Sequence, residues 1–285
     1  MLATILALLS AVAFGAADFV AGLVTRRTPV LTVVVISQLS GLALLLCTVW
    51  FVPGTAFPNA GDVGWGLAAG CAGGVGLALL YLGLAIGRMS VVSPLTALLG
   101  ASLPVVFGIA SGERPAALAL YGVGLALVSV VLISSAPEHA ANPLPPRAAR
   151  AGIAAGIASG LAIGTFLILL AHVRHEAGLW ALAAARCSSI VLLGTIAFAT
   201  RRPIQPFSAP LRPIVLAGLI DATSTALYVI STRYGLLSVV AVLTSLYPAS
   251  TVLMARFILK ERMTPLALGG MALAAISVSL IALAR

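Results

Sequence analysis

Along almost the whole chain, apolar residues run in stretches of about twenty, interrupted by charges, prolines and glycines rather than by regular polar positions. Neither the two-residue alternation of a half-buried strand nor the 3.6-residue stripe of a surface helix dominates; the segments are apolar all round. Ten such segments can be drawn: 2–24, 30–52, 64–86, 91–111, 116–135, 151–171, 178–199, 213–232, 236–259 and 265–284. A helix crossing a bilayer takes about 20 residues, so each predicts a spanning helix. The joints carry the breaks: Arg26-Arg27, Pro53-Gly54, Arg88, Glu113-Arg114, Arg174-His175-Glu176, Arg201-Arg202-Pro203, Arg233 and Lys260-Glu261-Arg262. Trp50, Trp65 and Trp180 fall near segment ends, where an indole sits best at headgroup level. The predicted fold is therefore an all-α integral membrane protein.

Composition sharpens the picture. Of 285 residues, 61% are hydrophobic and 8% charged, too little polarity to cover a soluble surface and too much apolar content for disorder. Ten spans would use about 200 residues and leave no room for a soluble domain. The net charge of +9 comes from basic residues standing singly or in pairs between apolar runs. That is a topology signal, not a phosphate-binding patch, so nucleic acid is not an expected partner. Cys47, Cys71 and Cys187 are scattered inside apolar runs and suggest neither disulfides nor a metal site. The N-terminal stretch lacks a basic start and runs past twenty residues, unlike a cleaved signal peptide. With ten spans both termini share a side. The opposite loops hold ten basic residues and the termini's own side four, so the positive-inside rule puts the termini outside the cytoplasm.

The one linker of any length, 136–150, lies mid-chain with five segments on each side. Sliding the chain by 148 places Gly87–Ile133 on Gly235–Ile281, and 21 of 47 positions agree. About one in ten would be expected by chance in so biased a composition. Glu113-Arg114 on Glu261-Arg262 weighs most, because charges are scarce. The predicted organisation is two five-helix repeats, 1–135 and 151–285, joined by 136–150. An odd number of crossings makes the second copy enter from the opposite side, so the repeats should be inverted around a central cavity.

The opening Phe14-Gly15-Ala16-Ala17-Asp18-Phe19, Arg186 in the second helix of a repeat, and Glu113-Arg114-Pro115 and Glu261-Arg262 before Gly-rich final helices carry a resemblance. The chain resembles the EamA-type, ten-span members of the drug/metabolite transporter superfamily. Phe14 stands where that family usually has Trp, and Lys260 precedes Glu261 where Gly is commoner. The resemblance implies a basket of helices around a cavity, moving small metabolites or drugs by alternating access. It also implies cytoplasmic termini, against the charge count, and the sequence leaves that conflict open.

Charge inside a bilayer costs about 2.5–3.5 kcal/mol on insertion scales, so each intramembrane ionisable group is a site candidate. Asp221 lies near the middle of the eighth segment, Arg186 near the middle of the seventh, and Asp18 in the second half of the first. Either Asp221 and Arg186 only lock two helices together, or Asp221 belongs to a transport pathway. Ser224, Thr225, Tyr228 and Thr232 follow Asp221 on one helical face, and Thr244, Tyr247 and Thr251 share a face of the ninth segment. Gln38, with Ser37 and Ser40, is a further candidate, although such groups often serve as interhelical glue. In the 148-residue register Asp221 falls on Gly73, and Asp18 has no acid near Leu167. A charge required by the fold should recur in both copies, as Glu113 and Glu261 do, so non-recurring acids point to function.

Gly152, Gly156, Gly160 and Gly164 form a four-residue ladder, and Gly66, Gly70 and Gly74 another, expected to let helix backbones approach closely. Pro94, Pro104 and Pro248 fall inside segments and are expected to kink them. No glycine run ends in Gly-Lys-Ser/Thr, so nothing suggests an ATP-driven pump or a bound cofactor. His139, His172 and His175 make no metal set, and the seven acids are too dispersed for an enzyme site. The leading expectation is a secondary exporter of small metabolites, amino acids or drugs, with protons as a candidate coupling ion. An uncoupled sugar or nucleoside facilitator and a non-transporting membrane component are the alternatives. A single Lys among sixteen basic residues, with abundant Ala and Gly, suggests a GC-rich bacterium and its inner membrane.

Overall fold

The computed structural model describes the chain except residues 26, 53–55, 87–88, 135–144, 202–203, 205–208, 259–264 and 285, and the side chains of 89–91, 93, 94, 134, 252, 255, 256 and 267. Arg26, Pro53-Gly54, Arg88, His139 and most of the linker, Arg202-Pro203, Lys260-Glu261-Arg262 and Arg285 therefore lie outside the described residues.

The described residues fold into helices and connecting turns: α1 (Leu2–Thr25), α2 (Val30–Thr48), α3 (Ala60–Ile86), α4 (Met89–Ala110), α5 (Ala117–Ser134), α6 (Pro146–Ala171), α7 (Gly178–Ala199), α8 (Leu211–Thr232), α9 (Leu237–Thr244), α10 (Tyr247–Ile258) and α11 (Pro265–Leu283). Among them α1, α2, α3, α6, α7 and α8 belong to stretches long and apolar enough to cross a bilayer; the apolar parts of the remaining helices are shorter. Large apolar side chains point outward, among them Phe51, Val106, Val191 and Phe198, each at least 65% exposed. In water that surface would aggregate; against acyl chains it costs nothing, while each helix satisfies its own backbone.

The ninth predicted segment is not one helix. It breaks at Ser245-Leu246: Pro248 has no N–H to offer the Thr244 carbonyl, and its ring sits in the first turn of a new helix, where it is best tolerated. The joint tightens into a short turn, with the Leu246 N–H on the Leu243 carbonyl at 3.3 Å. By contrast, α4 runs unbroken through both Pro94 and Pro104.

The strongest packing runs between the halves of the chain, not within them. Helix α3 packs on α6 and α7, α4 on α6, α1 on α8 and α10, α2 on α8, and α5 on α11. Glycines set these approaches. A methyl group built on Gly160 would lie 2.7 Å from the Leu99 Cβ and 2.9 Å from the Thr96 carbonyl oxygen; on Gly164, 2.8 Å from the Leu103 Cβ. One on Gly70 would overlap the Ala185 carbonyl oxygen, and one on Gly218 the Ser37 carbonyl oxygen. Both expected ladders thus serve close packing, the sixth segment's against α4 and the third's against α7.

At the end of the bundle that carries the termini, two polar ties bridge the halves. Asn59 and Asp62 cap α3 reciprocally, each side chain taking the other's backbone N–H at 2.8–2.9 Å. The same Asp62 carboxylate, 3% exposed, accepts Nη2 of Arg174 at 2.6 Å and its Nε at 2.9 Å. That bond holds the Arg174 guanidinium still more firmly protonated. Glu113, from the turn after α4, caps α9: its carboxylate takes the Leu237 and Ser238 N–H groups at 2.7 and 3.0 Å. Glu113 therefore acts as a structural charge, in keeping with its recurrence.

Candidate functional site

The break between α9 and α10 and the glycine-lined faces of α3 leave a cavity inside the bundle. Measured to the centres of water-sized spheres it offers about 120 Å³. A single buried water needs about 10–15 Å³ on that measure, so the space suits a small organic molecule or several waters. Both halves line it: Phe14 and Asp18 from α1, Gln38 from α2, Gly70–Leu80 from α3, Thr96–Ala101 from α4, Ile163–Leu167 from α6, Leu182–Arg186 from α7, Asp221 and Thr225 from α8, and Ala241–Tyr247 from α9 and the turn into α10. The walls are mostly apolar, with a few convergent polar groups, the usual make-up of a small-molecule site.

One polar network crosses it. Arg186, buried, pairs with Asp221 at 2.6 Å, donates Nη1 to the Gln38 amide oxygen, and reaches the Thr225 hydroxyl with Nη2 at 3.3 Å. The Gln38 amide in turn donates to the Ser189 hydroxyl at 2.7 Å. Thr225 also back-bonds to the Asp221 carbonyl at 2.9 Å, which orients it toward the guanidinium. A buried guanidinium needs this: its charge is tolerable only when paired and its N–H groups are occupied. Gln38 and Arg186, which meet here, are 148 residues apart, the offset at which the two halves of the sequence match.

Of the residues singled out from the sequence, Asp18, Gln38, Arg186, Asp221, Thr225, Thr244 and Tyr247 line this cavity. Asp18 is close enough to Asp221, Tyr81 and Tyr247 to act on them electrostatically. Tyr228 does not line it; it is 1% exposed in the hydrophobic core, with no partner for its hydroxyl among the described residues. The polar face of α8 divides. Thr225 meets the cavity, the Ser224 carbonyl accepts the Ser10 hydroxyl of α1 at 2.7 Å, and Thr232 lines a second hollow toward the termini. Thr251 spends its hydroxyl on the Gly15 carbonyl of α1, at 3.2 Å. Ser189, Thr96 and the Asp62–Arg174 pair were not predicted; the Asn59-x-x-Asp62 spacing is the signal that would have found the last.

Comparison with known proteins fits this geometry. A crystal structure superposes with a TM-score of 0.75 at 17% identity, covering 99% of this chain and 97% of that one, which shows a shared fold. None of the curated proteins matches. The model of the EamA-like transporter family matches twice, over residues 1–135 and 150–283. A bundle of apolar helices around a sparingly polar cavity, matched by that family in both halves, places the chain in the EamA-like transporter family of the drug/metabolite transporter superfamily.

Proposed function

We propose that the chain is a secondary exporter of small metabolites, amino acids or drugs among them, working by alternating access in the bacterial inner membrane. Its architecture in this reading is ten spans in two inverted five-helix repeats, 1–135 and 151–285, with 136–150 between them. The observation that carries it is the cavity built from both halves, with Arg186, Asp221, Gln38 and Thr225 converging on it.

Further features support it. The helix contacts come in couples under exchange of the halves: α3 on α6 with α8 on α1, and α3 on α7 with α8 on α2. Gly70 against Ala185 and Gly218 against Ser37 repeat one contact at an offset of 148. A second hollow lies toward the termini, lined by Phe107, Glu113, Arg174, His175 and Thr232 among others. Tyr228 stands between Thr225, at the first space, and Val229 and Thr232, at the second. A central cavity with a packed layer between it and the hollow at the terminal end fits alternating access, in which one site is reached from one side at a time.

The test is flux. Proteoliposomes containing the purified chain take up radiolabelled amino acids in counterflow at a saturable rate, and Asp221→Asn reduces that rate to the level of empty liposomes. A pH gradient that changes the wild-type rate marks protons as the coupling ion. Normal transport by the variant removes Asp221 from the pathway.

A further inference from the structure

The charges facing the cavity do not balance. Among the described residues its charged lining groups are Asp18, Arg186 and Asp221, two carboxylates against one guanidinium. Arg186 is committed: Asp221, Gln38 and Thr225 surround it. Among the described residues Asp18 has neither a salt bridge nor a hydrogen bond, and the electrostatic neighbour acting on it is a second carboxylate, Asp221. An acid so placed is costly unless something neutralises it.

A second group is unsatisfied on the same wall. The Thr244 hydroxyl, in a residue 3% exposed, has no partner among the described residues, yet Thr244 lines the cavity. Its counterpart 148 residues earlier, Thr96, donates to the Gly156 carbonyl of α6 at 3.1 Å. Thr244 stands at the end of α9, where the break into α10 turns the chain. The remaining wall is apolar and aromatic: Phe14, Leu77, Leu80, Phe166 and Tyr247.

We propose that this cavity takes a small organic monocation, an amine or quaternary ammonium with an apolar body, its charge held by Asp18 and a hydroxyl or carbonyl of it met by Thr244. The aromatic faces suit such a cation as well as its hydrocarbon part. The inference rests on the transport reading for its biological setting but not for its test.

The test is calorimetric titration of the full chain in detergent with benzyldimethyl(2-hydroxyethyl)ammonium and benzyltrimethylammonium, permanently charged probes that differ by one hydroxymethyl group. Both bind saturably, and Asp18→Asn weakens both by about tenfold or more, whereas Asp18→Glu retains them. Thr244→Val weakens the hydroxylated probe several-fold and leaves the other unchanged. Acidification weakens both in the wild type, because a proton competes for Asp18. Among the described residues the titratable groups facing Asp18 are Asp221 of α8, Tyr81 of α3 and Tyr247 of α10; α9 has no titratable residue and α2 only Cys47 near its far end. Acid weakening is thus a readout even where Asp18→Asn fails to fold. Benzoate or zwitterionic phenylalanine binding as tightly as the cations, or no cation binding, overturns the proposal. Cation binding that needs Asp18, without flux in proteoliposomes, removes the transport reading alone; phenylalanine flux without cation binding removes this proposal alone.

Discussion

At the residue scale, the pairing of Arg186 with Asp221 changes what a substitution does. Asp221→Asn leaves a buried guanidinium without its counter-charge, and breaking a buried pair costs about 3 kcal/mol or more. Lower thermal stability in detergent is therefore expected beside the loss of flux. Asp221→Asn with Arg186→Gln recovers most of that stability, because neither charge is then left alone, while transport stays lost. Recovery of both would make the pair purely structural. Much of this was legible in the sequence: ionisable residues in apolar runs are rare enough that Asp18, Arg186 and Asp221 stand out, and their expense in lipid says they are kept for a purpose. Tyr228 falls outside the cavity because helical periodicity fixes a face, not a depth. At i+7 it lies about 10 Å along the axis from Asp221, beyond the cavity. Ser189 and Thr96 gave no signal, since a hydroxyl in an apolar helix more often bonds its own backbone.

At the scale of elements, the glycine contacts and the α9–α10 break make separable predictions. Gly70→Ala forces a methyl group onto the Ala185 backbone, which has no flexible end to yield, so α3 and α7 must part. A loss of about 2 kcal/mol is expected by analogy with overpacked cores, seen as a lower unfolding temperature in detergent. Gly194→Ala, with nothing within 4 Å of the added methyl, serves as the control and changes little. Pro248→Ala restores an N–H four residues after Thr244. Hydrogen exchange around 246–249 should slow as the ninth segment becomes more continuous, and turnover should fall with it. That the segment is helical was plain from its apolar run. That it is broken was not, because Pro94 and Pro104 sit inside α4 without interrupting it. The packing around a proline, which the sequence does not display, decides between a bend and a break.

At the scale of the molecule, the contacts make the halves interdependent. Five-helix units that packed mainly within themselves would be domains; here the most extensive contacts, α3 with α6, α1 with α8 and α5 with α11, all cross from one half to the other. Expressed alone, 1–135 or 150–285 would leave those glycine-lined faces uncovered and should be degraded or aggregate. Expressed together as separate chains they should reassemble, recovered as a complex on a single-tag purification. Independent folding of either half would contradict the packing. The Asp62–Arg174 pair and the Glu113 cap tie the same halves at the terminal end, so opening there must break or shift them together.

The meeting of Gln38 with Arg186 carries one more consequence. Two identical copies facing one another must place matching residues at the point where they meet, so any charge they bring there comes in twos. On a single chain matching positions can differ: at an offset of 148 residues an arginine meets an amide, and Asp221 falls on Gly73, which carries no charge. Among the described residues the cavity wall carries three charges, an odd count that is open to a single continuous chain and closed to a symmetric pair.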